Sequence, residues 1–252
     1  YAAKAGLLYA FDKLRKNDIS CYIIPGSHDF SPSGKTMLDV LEKAGLMENV
    51  MKFNNNKLEF TIDKTNAKIT GIFGLRQGLD RSYYQNLDKE SLEKEKGFKI
   101  FMFHATLDEF KPKDQELVQG QSYTDLPKNF NYYAGGHTHV VLHTNKEGYG
   151  TIAYPGPLFP NSFKELEELK HGGFYIVDDK LNIKRIDINL KDVSSFYINA
   201  DNKNSEQIEQ ELRNIIDVKD KIVLIRIEGT LKSGKPSDIN FKEIFCQFVL
   251  FK

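Results

Sequence analysis

This sequence has few cysteines, no excess of either charge and no long apolar run, and each shortage narrows what the chain can be. The two cysteines, Cys21 and Cys246, sit far apart in apolar contexts. They argue against a thiolate metal site and read as free, buried thiols of a reducing cytosol. Basic and acidic residues both number 35, so the formal net charge is zero. Gross charge therefore gives nucleic-acid binding no support, although a local basic strip would be enough. No apolar stretch approaches the roughly 20 residues of a membrane span. The opening residues form a helix pattern, not a secretory leader. With 252 residues, the chain can hold one large domain, or one domain and a small companion.

What is present begins with that helix. Ala3, Leu7, Phe11 and Leu14 recur at helical spacing over residues 2–16, with neither a cap nor a strand before them. The pattern looks like the middle of a βαβ unit, so the chain is expected to be a fragment whose amino terminus is missing. Strand 19–24, a Ser/Pro/Gly-rich loop and a helix over 35–44 follow, with Gly45 as its C-cap. Then come strands 58–62 and 69–73, a polar helix over about 81–96, and buried strands at 98–103 and 131–134. From residue 140 the pattern is all strand, at 140–143, 151–154, 173–177 and 183–188. No long helix separates these runs, which predicts a second sheet stacked on the first. The fold class expected for residues 1–190 is α/β, a two-sheet α/β sandwich. Residues 191–252 restart as a small αβ module, with strand 196–198, helix 206–216 and strand 222–227. The module breaks off inside the apolar run 245–251.

Three histidine-bearing loops, each directly after a strand, carry the chemistry. They are Gly26-Ser27-His28-Asp29, then His104, then Gly136-His137-Thr138-His139. Ligands of open α/β sheets gather at the carboxyl ends of strands, so three strands would deliver imidazoles to one rim. Imidazole is the commonest transition-metal ligand at neutral pH. His137 and His139, two apart in an extended stretch, point the same way. Asp29 is placed to orient or charge a neighbouring imidazole. Each motif alone reads sooner as a structural or solvent-facing histidine at a strand-end turn than as a metal ligand.

Together, in this order, the three loops resemble the motifs of calcineurin-like metallophosphoesterases. Within that superfamily the chain is similar to the double-strand-break repair nuclease (SbcD-like) family. The first motif carries His then Asp. Tyr154-Pro155-Gly156-Pro157, with Phe163, Glu165 and Gly172-Gly173-Phe174, resembles the segment that closes the family's nuclease domain. The αβ module stands where the family carries a DNA-capping domain.

The resemblance implies a set of roles. His104, His137 and His139 would be metal ligands. His28 would sit by the scissile phosphate and stabilise or protonate the leaving oxygen. Ser27 stands where the family has a metal-binding asparagine, and a hydroxyl is a shorter, weaker ligand. The family's Asp-x-His and Gly-Asp motifs occur nowhere in this sequence, so the chain as it stands lacks the bridging carboxylate. In a complete site, two Mn²⁺ ions would drive hydrolysis of DNA phosphodiesters at DNA ends by a two-metal mechanism. A homodimer is implied, with Phe30, Met37, Leu38 and Leu41 as contact candidates. A coiled-coil ABC-type ATPase partner and a cytoplasmic setting are implied as well. The alternatives are a phosphoesterase of nucleotides or other small esters, and an inactive scaffold member of the superfamily.

The remaining candidates read as structural. His143 is expected to pack, and His171 to lie on the surface in a turn. Arg76 and Arg81, which flank Gly78, could meet a phosphate backbone but read as solvated loop charges. Glu165, Glu167 and Glu168 read as an exposed helical face.

Overall fold

The structure is a computed structural model, and it describes residues 2–29, 36–54, 57–112, 119–215 and 218–250. The chain divides into two compact units, Tyr1–Gly156 with Tyr175–Lys184, and Pro157–Phe174 with Arg185–Lys252. The first unit opens with helix α1 (Ala2–Lys16), strand β1 (Tyr22–Ile23) and helix α2 (Met37–Lys43). Thr36 caps α2 with a reciprocal Thr36–Asp39 box, and Gly45 ends its last turn at φ 64°. The short strands β2 (Glu48–Asn49), β3 (Phe53–Asn54), β4 (Lys57–Leu58) and β5 (Thr61–Ile62) follow. The expected strand 19–24 is thus only two residues long, and it pairs in parallel with β2. The expected strand 58–62 is split, β4 closing a hairpin with β3 and β5 pairing with the next strand.

The centre of the unit is a six-stranded sheet in the order β5-β6-β7-β8-β10-β9. Its strands are β6 (Lys68–Ile72), β7 (Lys99–His104), β8 (Tyr132–Gly136), β9 (Val141–Lys146) and β10 (Tyr149–Pro155), besides β5. β6, β7, β8 and β10 run parallel, while β5 and β9 are antiparallel edges. Strands 141–146 and 149–155 therefore join the central sheet instead of opening a second one. The cause is local. A two-residue turn with Gly148 at φ 76° folds β9 back, and Ile152, Ala153 and Tyr154 are buried as central strands require.

Between β6 and β7 the expected long polar helix is two short ones, α3 (Arg81–Gln85) and α4 (Lys89–Lys94). The break has a chemical reason: the Asp88 carboxylate accepts the Ser91 N–H and starts a new helix. α4 ends on Lys99, a buried lysine whose Nζ donates to the Leu92 and Glu93 carbonyls at 2.8 and 3.3 Å. The same ammonium lies 4.7 Å from the centre of the Phe130 ring. The core is strongly aromatic. Phe103 meets Tyr154 edge-on at 5.4 Å, and the Tyr154 hydroxyl donates to the Ala105 carbonyl at 2.8 Å.

Helix α5 (Phe163–Leu169) belongs to the second unit. Strands β11 (Gly172–Val177) and β12 (Ile183–Ile188) pair with each other. Beyond them lie β13 (Asp192–Asn199), α6 (Ser205–Arg213), β14 (Lys221–Glu228) and α7 (Phe241–Leu250). β13 and β14 form a parallel pair eight residues deep, longer than the strands expected at 196–198 and 222–227. Ile198, Ile208, Leu212, Ile239 and Ile244 form this unit's own core.

Several side-chain expectations change. Cys246 is exposed and Cys21 is partly buried. Glu167 is ion-paired with Arg226 at 2.6 Å and is not an idle surface charge. His171 is half-buried, its Nδ1 having no hydrogen-bond partner. Leu41 is fully buried and so packs the core, whereas Met37 is exposed and Phe30 lies outside the described residues. Among the described residues, no helix is long and apolar enough to cross a membrane.

Candidate functional site

The parallel core of the sheet builds the site. β7 ends at His104 and β8 at Gly136, and these two residues are register partners. The chain leaving β8 carries His137, so its imidazole emerges beside that of His104. The loop after β6 is tied to the loop after β1 by Gly74 N–H donating to Pro25 O at 3.0 Å. Loops 26–29, 74–80 and 137–139 therefore meet at one carboxyl-end rim, with His104 on their floor.

His104 is the hub. Its Nε2 lies 3.3 Å from His137 Nδ1 and 3.5 Å from Ser27 Oγ. The two rings stand 5.0 Å apart at 62°. Three glycines wall in the His104 ring. A Cβ on Gly26 or Gly136 would sit 3.0 Å from ring atoms, and one on Gly74 would lie 2.5 Å from the His104 carbonyl oxygen. Burial is the largest influence on His104, and with the neighbouring His137 it pushes the ring's pKa down to about 4. Burial also lowers His137, opposed by the charge of Asp80. Both shifts favour the neutral ring, the form that coordinates a metal. His137 holds φ at 89°, a conformation that costs a non-glycine residue roughly 1 kcal/mol or more and clusters at functional sites.

Around this pair stand the other expected residues. Ser27 is buried and His104 half-buried, whereas His28, His137 and His139 are exposed at the rim, and the charge of His139 reaches both His104 and His137. Asp29 acts on the His104 ring through its charge, which raises that ring's pKa against the effect of burial. Its carboxylate accepts the Gly26 N–H at 2.9 Å and closes the turn that presents His28. His143 lies away from the rim on β9 and meets Tyr175 edge-on at 5.8 Å.

Sequence reasoning set aside two arginines that the fold brings to the rim. Arg76 reaches His28 Nδ1 at 3.4 Å. Arg81 lines a cleft of about 400 Å³ with Asp80, His104, Gln121 and His137, and its guanidinium donates to the Gly120 carbonyl. Asp80 was missed entirely. It is 5% exposed, and burial raises its pKa. Gly74 was missed too, since only tertiary approach to His104 gives it a role.

The donors fit one edge of a metal site. Two imidazole nitrogens that share a tetrahedral ion, each about 2.0–2.1 Å from it, stand about 3.3 Å apart. That is the separation of the His104 and His137 nitrogens. Among the described residues, however, no group of three or more His, Cys, Asp or Glu is arranged to hold a metal ion. The described residues thus supply a fitted pair and a nearby hydroxyl, not a closed coordination sphere.

No family model matches the chain. Curated proteins named DNA double-strand break repair protein Mre11 do. The protein of Methanococcus maripaludis is 31% identical over 237 residues, covering 88% of this chain and 60% of the relative. That of Methanocaldococcus jannaschii is 29% identical over 208 residues, with coverages of 75% and 54%. That of Sulfolobus acidocaldarius is 28% identical over 248 residues, with coverages of 92% and 61%. The chain spans little more than half the length of these relatives.

Proposed function

Because the chain belongs to the Mre11-type, double-strand-break repair family of metallophosphoesterases, we propose that it carries part of a metal-dependent nuclease acting on DNA ends. The observation that supports this reading is the convergence of Ser27 and His137 on His104 Nε2 at a strand-end rim, with His28 beside them. Of the chain's residues, His104, His137 and His139 would hold a divalent ion, with Ser27 as a weak oxygen donor. Mn²⁺ suits this mixed imidazole and oxygen set, two ions in the complete site. When bound, such ions polarise the phosphate and activate water.

The chain's own contributions follow from the geometry. Desolvation favours the neutral, coordinating form of His104 and His137. The Gly26–Asp29 turn presents His28 at the rim, where it would face a phosphate and would stabilise the oxygen that leaves. Arg81 and the cleft it lines offer positive charge and room beside the reacting phosphate. Residues 191–252 would begin a DNA-capping module. A homodimer, a coiled-coil ABC-type ATPase partner and a cytoplasmic setting complete the proposal.

The test is made on the full-length protein. Calorimetric Mn²⁺ binding should weaken at least tenfold in His104→Ala and survive in His28→Asn. Mn²⁺-dependent degradation of end-labelled duplex should be lost in both variants. Hydrolysis of a chromogenic phosphodiester without attack on duplex ends would make the substrate a small ester. Absence of both metal binding and hydrolysis would leave a scaffold.

A further inference from the structure

We infer that Arg76 is the positioning residue of His28, fixing it as a hydrogen-bond donor through Nε2–H. This rests on the proposed nuclease reading for its consequence, but not for its structural content.

Taken as a hydrogen bond, the contact has one direction. Arg76 Nη2 lies 3.4 Å from His28 Nδ1. A guanidinium has five donors and no acceptor. Nδ1 must therefore be the acceptor and carry no proton, which leaves the ring's proton on Nε2. The same contact sets the ring's direction, because the in-plane bonding directions of Nδ1 and Nε2, which flank Cε1, diverge. A ring turned by its Nδ1 toward Arg76 presents Nε2–H away from the arginine.

The backbone around the pair makes the contact more than a chance meeting of two exposed side chains. Arg76 stands two residues after Gly74, whose N–H is bonded to Pro25 O, three residues before His28. The two loops are stitched together at the base of both side chains. Asp29 fixes the His28 turn from the other side through Gly26 N–H. Gly74 itself sits so close to His104 that a side chain there would meet the ring and the carbonyl oxygen. The loop that carries Arg76 is thus located by the same histidine that anchors the rim.

The arrangement decides between two roles for His28. Proton transfer from a neutral Nε2–H would leave an imidazolate, which a ring already accepting at Nδ1 cannot relieve by taking up a second proton there. His28 therefore stabilises the leaving oxygen by donating a hydrogen bond as the P–O bond breaks, and the proton that finally neutralises that oxygen comes from solvent. Arg76 adds no atom to the reaction. It orders the donor before the substrate arrives, which is the economical form of electrostatic stabilisation.

The experiment combines a spectrum with kinetics on the full-length protein. Long-range ¹H–¹⁵N spectra of the histidine rings, with His28 assigned by its loss in His28→Asn, should show Nδ1 as an acceptor and the proton on Nε2. In Arg76→Met, ¹³C relaxation should show the His28 ring losing order while the other five histidines are unchanged. Duplex hydrolysis by Arg76→Met should fall about fivefold to tenfold in kcat, the value of one ordinary hydrogen bond, with KM within twofold. Hydrolysis of a p-nitrophenyl phosphodiester, whose leaving group needs little stabilisation, should change less than twofold. A proton on Nδ1, or a His28 ring equally ordered without Arg76, would overturn the inference. So would a rise in KM with kcat unchanged, because Arg76 would then only bind substrate. If the unsubstituted protein fails to cut duplex, the nuclease reading falls, and the spectra alone decide the Arg76–His28 pairing.

Discussion

Gly74→Ala tests the architecture of the site more sharply than removal of any histidine. Gly74 does not have positive φ, so alanine fits its backbone and the whole effect is steric. The new Cβ would stand 2.5 Å from the His104 carbonyl oxygen and against ring carbon Cδ2. The oxygen belongs to the end of β7 and cannot yield cheaply. Gly74 cannot retreat either, because its N–H is bonded to Pro25 O. Overpacking of this kind costs typically 1–3 kcal/mol, and here about 2 kcal/mol is expected since one clash is with backbone. In a unit of this size that lowers the melting temperature by about 4–8 °C. Gly26→Ala and Gly136→Ala make an internal scale. Their Cβ atoms would meet only ring atoms at 3.0 Å, or for Gly26 a carboxylate at 3.3 Å, so a few tenths of an ångström of give relieves them. Each should cost less than about 1 kcal/mol. Calorimetric melting of the three variants reads the order directly, and Mn²⁺ titration reads whether the 3.3 Å spacing of the imidazoles survives. Melting of Gly74→Ala at the unsubstituted temperature, or a larger loss in Gly26→Ala, would refute the glycine-walled account of His104.

Three further outcomes follow from the same geometry. His104 titrates near 4 in the folded chain against 6.5 in a free histidine, so the unfolded state binds the extra proton first. Its contribution to stability is full above pH 6.5 and is lost as pH falls toward 4, on the order of 2–3 kcal/mol after allowance for partial exposure. In metal-free buffer, His104→Asn should flatten the slope of melting temperature against pH across that window, and an unchanged slope would assign it elsewhere. His137→Gly should be about 1 kcal/mol more stable than His137→Ala, since glycine accepts a φ of 89° and alanine does not, and equal denaturation midpoints would contradict the strain. Lys99→Met should cost about 1–2 kcal/mol in urea, because the two carbonyls at the end of α4 lose their buried donor. A variant as stable as the parent would mean that relief of the buried charge offsets that loss.

The parts of this structure that were legible in the sequence are those written in local pattern. The apolar runs ending at His104 and before His137 are short, continuous and punctuated by glycine, so both strands and their loops could be read. Helix α1 and the Gly45 stop were visible for the same reason. The long helix over 81–96 was misread because its polar composition suits a helix throughout, and only the Asp88 cap divides it. Strands 141–155 were assigned to a second sheet because partner choice between strands is a tertiary matter that alternation does not encode.

The site divides along the same line. Ser27, His104 and His137 share one rim because each closes or follows a strand, and strand ends are a sequence-level feature. Arg76, Asp80 and Gly74 are different in kind. They lie in a loop whose residue types suit any solvated turn, and that loop both packs closely on His104 through Gly74 and is bonded to Pro25 O. A missing side chain at residue 74 creates that approach, and the approach carries Arg76 to His28. The residues that could be named in advance are therefore those that would bind the metal. Those that aim the chemistry depend on how two loops, 48 residues apart at His28 and Arg76, fit against one imidazole.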